Sequence, residues 1–452
     1  MNSTERRASL SLAAIFGLRM FGMFIILPVF ALYAAQLPGG SSHTLIGIAL
    51  GAYGLTQALL QIPFGWLSDR YGRKTVIYGG LVLFAVGSFV AASAHDIHMV
   101  IVGRIIQGAG AISGAVIALA ADLTREEHRT QAMALIGITI GITFSISMVA
   151  GPPLDHWIGV PGIFALTGVL ALLAIIVVYA VIPDPPHSHF HSDSETRLGT
   201  LAAVLKNPEL LRLNYGIFAL HSGLMAMFVV VPFALRQDGL SSGQHWEIYL
   251  PVMLMAFGLM VPPIIYGEKK ARLKQVFTVA VALLLVAQLM LGELAHSLWG
   301  IGFSLLVFFT AFNLLEAILP SLISKIAPAG VKGTATGVYS SIQFVGTFAG
   351  AAVGGWLSQH FGAPAVFAFC AGISTLWLLL VATMRPPPAV RTKMYALPDT
   401  DGARAQRLSQ DLARLPGVRE AVVSAEEGAA YLKVDMAGFD EQQALQLIQG
   451  RA

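Results

Sequence analysis

Runs of about twenty apolar residues, the length that crosses a hydrocarbon layer of ~30 Å, follow one another from residue 10 to residue 384. The pattern predicts twelve spans, at 10–34, 44–67, 75–94, 97–120, 133–154, 162–183, 213–235, 247–267, 276–296, 298–323, 333–357 and 363–384. Lipid offers no partner to open backbone groups, so runs of this kind form helices, with their Gly and Pro breaks packed against neighbours or a cavity. The longest internal connector begins PDPPHSHFHSDSETRLGTLAAVLKNPELLR at Pro183. Its polar first part reads as a linker, and LGTLAAVLKNPELLR as a short amphipathic helix at the membrane surface. Six spans precede it and six follow.

The pattern changes after MRPPPAV. Residues 391–452 carry 17 charged side chains and no spanning run. Alternating and helical periodicities predict a strand over 391–397, a helix over 403–415, strands over 418–424 and 429–435, and a helix over 440–448. The order β-α-β-β-α is most of a split βαβ, ferredoxin-like unit without a recognised closing strand. The expected fold is therefore an all-α polytopic membrane protein of two six-helix halves plus a small α+β C-terminal domain. Its divisions are 1–183, a linker over 184–212, 213–384, a Pro-rich junction over 385–390, and 391–452.

Composition agrees. The chain of 452 residues is 56% hydrophobic and only 12% charged, against about 25% charged in soluble domains, which excludes a soluble globule. Of twenty Lys and Arg before residue 391, seventeen fall on one side of a twelve-span drawing; Arg19 and Arg104 lie inside spans and Arg236 on the far side. Basic residues stay in cytoplasmic loops, so both termini are expected in the cytoplasm. The net charge of +3 then records topology and not nucleic-acid binding. The first span is too long for a signal peptide and lacks a cleavage pattern, so it reads as a retained helix. Cys370 is the one cysteine, which excludes an internal disulfide or thiol metal site. His187, His189 and His191 alternate in the linker; solubilising a loop explains them more simply than a metal ion. No Walker loop is present, no cofactor is expected, and no residue set suggests catalysis.

The halves repeat. Met23-Phe24-Ile25-Ile26-Leu27-Pro28 is echoed by Met227-Phe228-Val229-Val230-Val231-Pro232 at an offset of 204, while Asp69-Arg70 and Arg73 match Glu268-Lys269 and Arg272 at 199, as Gly151 matches Gly350. Such pseudo-symmetry lets two bundles rock about a central site.

The most specific motif is GWLSDRYGRK over 65–74, between the second and third spans. So short a loop forces an antiparallel pair, and Gly72 permits a backbone angle that other residues resist. Either it is a tight turn whose Arg70, Arg73 and Lys74 satisfy the charge rule, or it is a gate. In the second case Asp69 caps a neighbouring helix and Arg73 pairs with a nearby carboxylate. Here the chain resembles the major facilitator superfamily, and within it the drug:proton antiporter branch. The family's cytoplasmic gate motif G-x-L-x-D-R-x-G-R-K is matched by Gly65, Leu67, Asp69, Arg70, Gly72, Arg73 and Lys74. The resemblance assigns Asp122 as the acidic partner of Arg73, and IVGRIIQGAG over 101–110 as the fourth-helix motif, in which Arg104 serves coupling or proton relay. The fifth-helix antiporter signature G-x-x-x-G-P-x-x-G keeps Gly151-Pro152 but has Ser147 and Asp155 at its outer glycines. The 391–452 tail is similar in size and position to the ferredoxin-like tail of a bacterial member.

Charges inside hydrocarbon are functional candidates by default. Arg19, Arg104, His221 and Glu316 lie deep in their spans, with Asn313 adding hydrogen-bonding capacity beside Glu316. For Glu316 the alternatives are coupling or substrate binding, a structural ion pair, and helix packing. For Arg19 and Arg104 they are partnering a carboxylate and stabilising helix breaks; for His221, a satisfied structural role and proton handling. Gly333, Gly337, Gly346, Gly350, Gly354 and Gly355 make the eleventh span thin, which suggests close, sliding packing between the halves. The expected function is proton-driven efflux of a small organic molecule from the bacterial inner membrane by a monomer. Alternatives are a sugar or metabolite facilitator or symporter, and a membrane receptor or scaffold whose tail binds an unknown partner.

Overall fold

The computed structural model describes residues 3–124, 126–184, 201–270, 272–328, 331–386, 390–397, 402–425, 428–435 and 438–448. The three linker histidines and any strand after residue 448 lie outside them. The first half comprises α1 (Ser3–Phe24), α2 (Leu27–Ala34), α3 (His43–Tyr71), α4 (Arg73–Ala92), α5 (Ile97–Ala109), α6 (Ser113–Asp122) and α7 (Glu126–Val181). The second comprises α8 (Leu201–Lys206), α9 (Pro208–Gln237), α10 (Trp246–Lys269), α11 (Leu273–Leu294), α12 (Leu298–Ile326), α13 (Lys332–Phe361) and α14 (Ala363–Ala382).

These elements make twelve crossings. Ten described segments are long and apolar enough to span. One of them holds α7, which turns at Gly159 with φ 68° and so supplies two crossings. The other addition is α13, at 30 residues about 45 Å long, whose glycines and hydroxyls dilute its apolar character. The first crossing is not one helix as expected but two, α1 and α2. Pro28 has no N–H to continue the ladder, and the chain restarts from the Ile26 carbonyl, which accepts from Phe30 N at 2.7 Å. The expected surface helix before the seventh crossing also differs. Asn207 Oδ1 accepts from Glu209 N and Leu210 N at 3.0 and 3.3 Å, capping a helix that starts at Pro208 and runs on as the span itself.

Lipid-facing positions are apolar, among them Leu59, Ile138, Ile176, Leu254 and Leu379, and exposed Trp66, Trp157, Trp246 and Trp299 lie towards the helix ends, where aromatic rings sit at a membrane interface. The start of α1 meets the end of α6 through Ser9 and Thr124, 3.4 Å apart. Lys325 Nζ pairs with Glu268 at 3.0 Å. We call this end of the bundle the terminal face.

The C-terminal unit has β1 (Val390–Ala396), α15 (Gly402–Ala413), β2 (Val418–Ser424), β3 (Ala429–Asp435) and α16 (Glu441–Ile448), within one residue of most expected boundaries. The antiparallel sheet has the order β1-β3-β2. Leu408, Leu412, Leu432, Val434, Ala444 and Ile448 form its separate core. The unit is docked. Lys433, 5% exposed, donates to the Ala327 and Lys325 carbonyls, the latter at 3.3 Å, and lies 3.5 Å from Glu420. Those carbonyls end α12, where the helix dipole is negative and carbonyls lack partners within the helix. A partly buried cation there is worth up to about 2 kcal/mol. Lys433→Met, which keeps the aliphatic stem, is therefore expected to speed limited proteolysis at the 385–390 junction about tenfold while leaving the melting of the bundle unchanged. Unaltered cleavage would show that other contacts hold the unit.

Candidate functional site

At the terminal face, Gly72 with φ 93° joins α3 to α4 in a conformation that favours glycine and brings Arg73 back over the last turn of α3. The Arg73 side chain is 2% exposed. Its Nη1 donates to Ser68 Oγ at 2.9 Å and to Asp69 Oδ1, while Nε donates to Asp122 Oδ2 at 3.3 Å. Asp122 ends α6, so Arg73 also sits at a negative helix terminus. Arg70 lies over Trp66 and Tyr71, and Lys74 reaches the exposed Asp184 at 2.8 Å. Asp69 pairs with Arg73 and, among the described residues, caps no helix of the second half. Among the described residues, a Cβ added at Gly65 would meet nothing within 4 Å beyond its own stretch of helix.

Deeper in, the five central candidates separate into two groups. Arg19 is 1% exposed and donates to Ser113 Oγ and Gln57 Oε1. Arg104 donates to Gln107 Oε1 at 2.6 Å and the Leu50 carbonyl at 3.4 Å, its guanidinium 4.9 Å from the centre of the Tyr53 ring. Both arginines brace the break between α5 and α6, and among the described residues neither has a carboxylate partner. The second group belongs to the other half. Glu316 Oε1 lies 3.5 Å from His221 Nδ1, and Gln343 Nε2 lies 2.8 Å from His221 Nε2. Tyr339 neighbours Glu316, and Asn313 is buried, three residues along α12. Phe312 stacks on Phe144 of the first half at 5.5 Å. Glu316, one turn nearer the terminal face, has 29% of its side chain exposed in spite of its depth.

The glycines expected between the halves act mostly within them. A Cβ at Gly151 would lie 2.6 Å from the Ile25 carbonyl and 2.9 Å from Pro28 Cγ, at the α1–α2 break, beside which Pro152 continues α7. At Gly350 the Cβ would fall on the Ser222 backbone of α9, and at Gly346 it would lie 2.5 Å from the Phe218 carbonyl. Gly151 and Gly350, paired by the sequence repeat, thus each admit the first helix of their own half. Gly337 is half-buried.

The seam between the halves joins α13, whose Gly355 is among the glycines expected there, to α3 residues that the sequence reading passed over, although Gly47, Gly51 and Gly54 recur along one face of α3 at small-residue spacing. A methyl at Gly47 would lie 3.1 Å from Gly355 Cα and closer still to the Ala351 carbonyl; one at Gly51 would lie 3.0 Å from Phe348 Cα. His43 Nδ1 lies 2.8 Å from Ser358 Oγ, and Ser42 Oγ donates to Gln359 Oε1 at 2.8 Å. These contacts close the face opposite the termini. Towards the terminal face, a Cβ at Gly65, Gly137 or Gly141 meets nothing within 4 Å. Overpacking such a seam costs about 1–3 kcal/mol. Gly47→Val is therefore expected to shift the population about tenfold or more away from this closed state. Electron–electron distances between spin labels at Ser41 and His360 would lose their short component, and an unchanged distribution would count against the seam.

The superfamily profile described as Major Facilitator Superfamily matches residues 12–351 and 265–396. The Inner membrane transport protein YajR of Escherichia coli (strain K12) is 46% identical over 435 residues, covering 96% of this chain and 95% of that protein. The Quinolone resistance protein NorA of Staphylococcus aureus is 24% identical over 383 residues, covering 80% and 92%. Among solved structures, a bacterial homologue of the human lysosomal transporter Spinster, in an inward-facing and occupied conformation, superposes with a TM-score of 0.70 at 13% identity, covering 84% of this chain and 96% of that one. The profile match, the relative at 46% identity and the twelve crossings in two halves together establish that this chain belongs to the Major Facilitator Superfamily.

Proposed function

We propose that the protein is a proton-coupled exporter of small organic molecules in a bacterial inner membrane, working by alternating access with its terminal face in the cytoplasm. The observation that carries the reading is the Glu316–His221 pair, 3.5 Å apart, on the terminal-face side of the Phe144–Phe312 contact between the halves. A carboxyl group so placed is poised between its two states by burial, water access and neighbouring charge. Rocking the halves changes all three. The names of the two relatives, an inner membrane transport protein and a quinolone resistance protein, support export, and the charge bias of the loops supports the orientation. In this reading the 65–74 loop with Asp69, Arg73 and Asp122 gates the cytoplasmic side, the proton gradient supplies the energy, and no cofactor takes part. The chain acts as a monomer.

Purified protein in proteoliposomes with an imposed pH gradient tests the proposal. A panel of quinolones and other amphipathic compounds is screened for flux while internal pH is recorded. Exchange predicts substrate moving against protons, each dependent on the other. Flux in the same direction as protons, or flux indifferent to the gradient, rejects it.

A further inference from the structure

The fourth crossing is broken, and its second piece, α6, begins in the interior. Its N-cap, Ile112, has no side-chain cap. Among the described residues, no backbone carbonyl accepts from the N–H groups of Gly114 or Ala115. A helix start with free N–H groups carries partial positive charge and is suited to an anion. Yet the side chain brought to it is a cation, since the Arg19 guanidinium donates to Ser113 Oγ, the first residue of α6. Arg19 is 1% exposed, and its Nε, though buried, has no hydrogen-bond acceptor among the described residues. A second guanidinium, that of Arg104, stacks over Tyr53, which also neighbours Arg19, and its Nε likewise lacks an acceptor.

Among the described residues, the acidic side chain Glu316 lies 3.5 Å from His221, which Gln343 meets on its other ring nitrogen, in the other half. Among the described residues, the two desolvated cations and the positive helix end of the first half therefore have only neutral partners, an arrangement that is costly until an anion joins it. The helix start is open on one side. Gly114, the second residue of α6, is half-exposed, and a Cβ built there would have as its nearest neighbour Gly65 Cα, 4.0 Å away.

We propose that the start of α6, with Arg19, Ser113 and the Gly114 and Ala115 amides, binds the carboxylate of a soluble organic anion, and that such anions are the substrate class of the transporter. The carboxylate accepts from Arg19 Nε and from the two amides, with its apolar body in the space between the halves. The proposal deepens the export reading and rests on it for the direction of movement.

Binding is tested apart from transport, with full-length protein in phosphatidylcholine nanodiscs and three probes of one shape: benzoate, benzyl alcohol and benzylamine. Benzoate alone is expected to raise the melting temperature in a saturable way. Arg19→Gln is expected to weaken it about tenfold or more, and Arg19→Lys less, since a point charge replaces a fork. Arg19→Gln risks the fold of the break, so Gly114→Ala, which the space at that position admits, is measured beside it. Its methyl, set over the amides, is expected to weaken benzoate while leaving the unliganded melting point unchanged. Equal stabilisation by benzylamine, or unaltered benzoate affinity in the folded variants, overturns the proposal. So does loss of the benzoate effect when phosphatidylglycerol is included, which assigns the site to a lipid headgroup. Uphill export of benzylamine with no benzoate binding leaves proton-coupled export standing and removes this inference alone.

Discussion

Arg73→Met is expected to lower the stability of the folded bundle by about 3–5 kcal/mol, the range found when one member of a buried ion pair is removed. The guanidinium fills a space between two carboxylates and a hydroxyl, with the Asp122 side chain fully buried and that of Asp69 34% exposed. Methionine keeps the volume and discards five donors and the charge, leaving Asp122 in the interior without that cation at the negative end of α6. The two acids predict unequal partners. Asp69→Asn removes a charge that water already screens, and about 1 kcal/mol or less is expected. Lys74→Ala, whose partner is the exposed Asp184, should fall within about 0.5 kcal/mol. Thermal unfolding of the three variants in one detergent checks the order. If Arg73→Met were no worse than Asp69→Asn, Asp122 would have to be held by other groups, and the pairing would not be the pin that joins the third crossing to the fourth.

The pattern along the chain conveys depth well and azimuth poorly, and this separates what was legible from what was not. An uninterrupted apolar run specifies a helix and its length, and alternation specified the tail strands almost to the residue. Arg19, Arg104 and Glu316 were marked as residues of interest because a charge in an apolar run stands out by itself. Which of them face one another depends on the rotation of each helix about its axis. For Arg19 the alternatives were partnering a carboxylate and stabilising a helix break, and its guanidinium meets Ser113, at the start of α6, and Gln57 within its own half.

The glycines of α13 show the same limit. Six of them occur on several faces of one helix, so their spacing does not say which face meets which neighbour; Gly346 and Gly350 meet α9 and Gly355 meets α3. Gln343 was missed beside His221 because one amide in a Gly- and Ser-rich helix carries little signal. Lys433 was missed because a lysine in a surface strand normally faces water, and only the docked helix end makes burial favourable.

Glu316→Gln is expected to abolish uphill transport while leaving substrate binding and passive exchange in place. A pH difference of one unit is worth about 1.4 kcal/mol per proton, so one-for-one exchange sustains a substrate gradient of about tenfold. Gln has nearly the size of Glu and keeps hydrogen-bonding capacity, so the space beside His221 stays filled; what it lacks is a proton that can leave. The steady-state gradient in vesicles should then fall from about tenfold to none, with internal pH no longer responding to substrate. Glu316→Asp keeps titration but withdraws the carboxyl by one methylene from His221, and should retain part of the gradient. A structural ion pair makes the opposite forecast. Its loss would show as a lower melting temperature and reduced yield, with the surviving molecules still pumping. Reconstituting equal amounts of folded protein separates the two. His221→Gln supplies the cross-check, because a histidine that only orients Glu316 can be replaced with coupling weakened but present. A tenfold gradient in Glu316→Gln at an unchanged proton-to-substrate ratio would remove Glu316 from the proton path, and His221 and the Asp69–Arg73–Asp122 cluster would remain as the groups able to carry it.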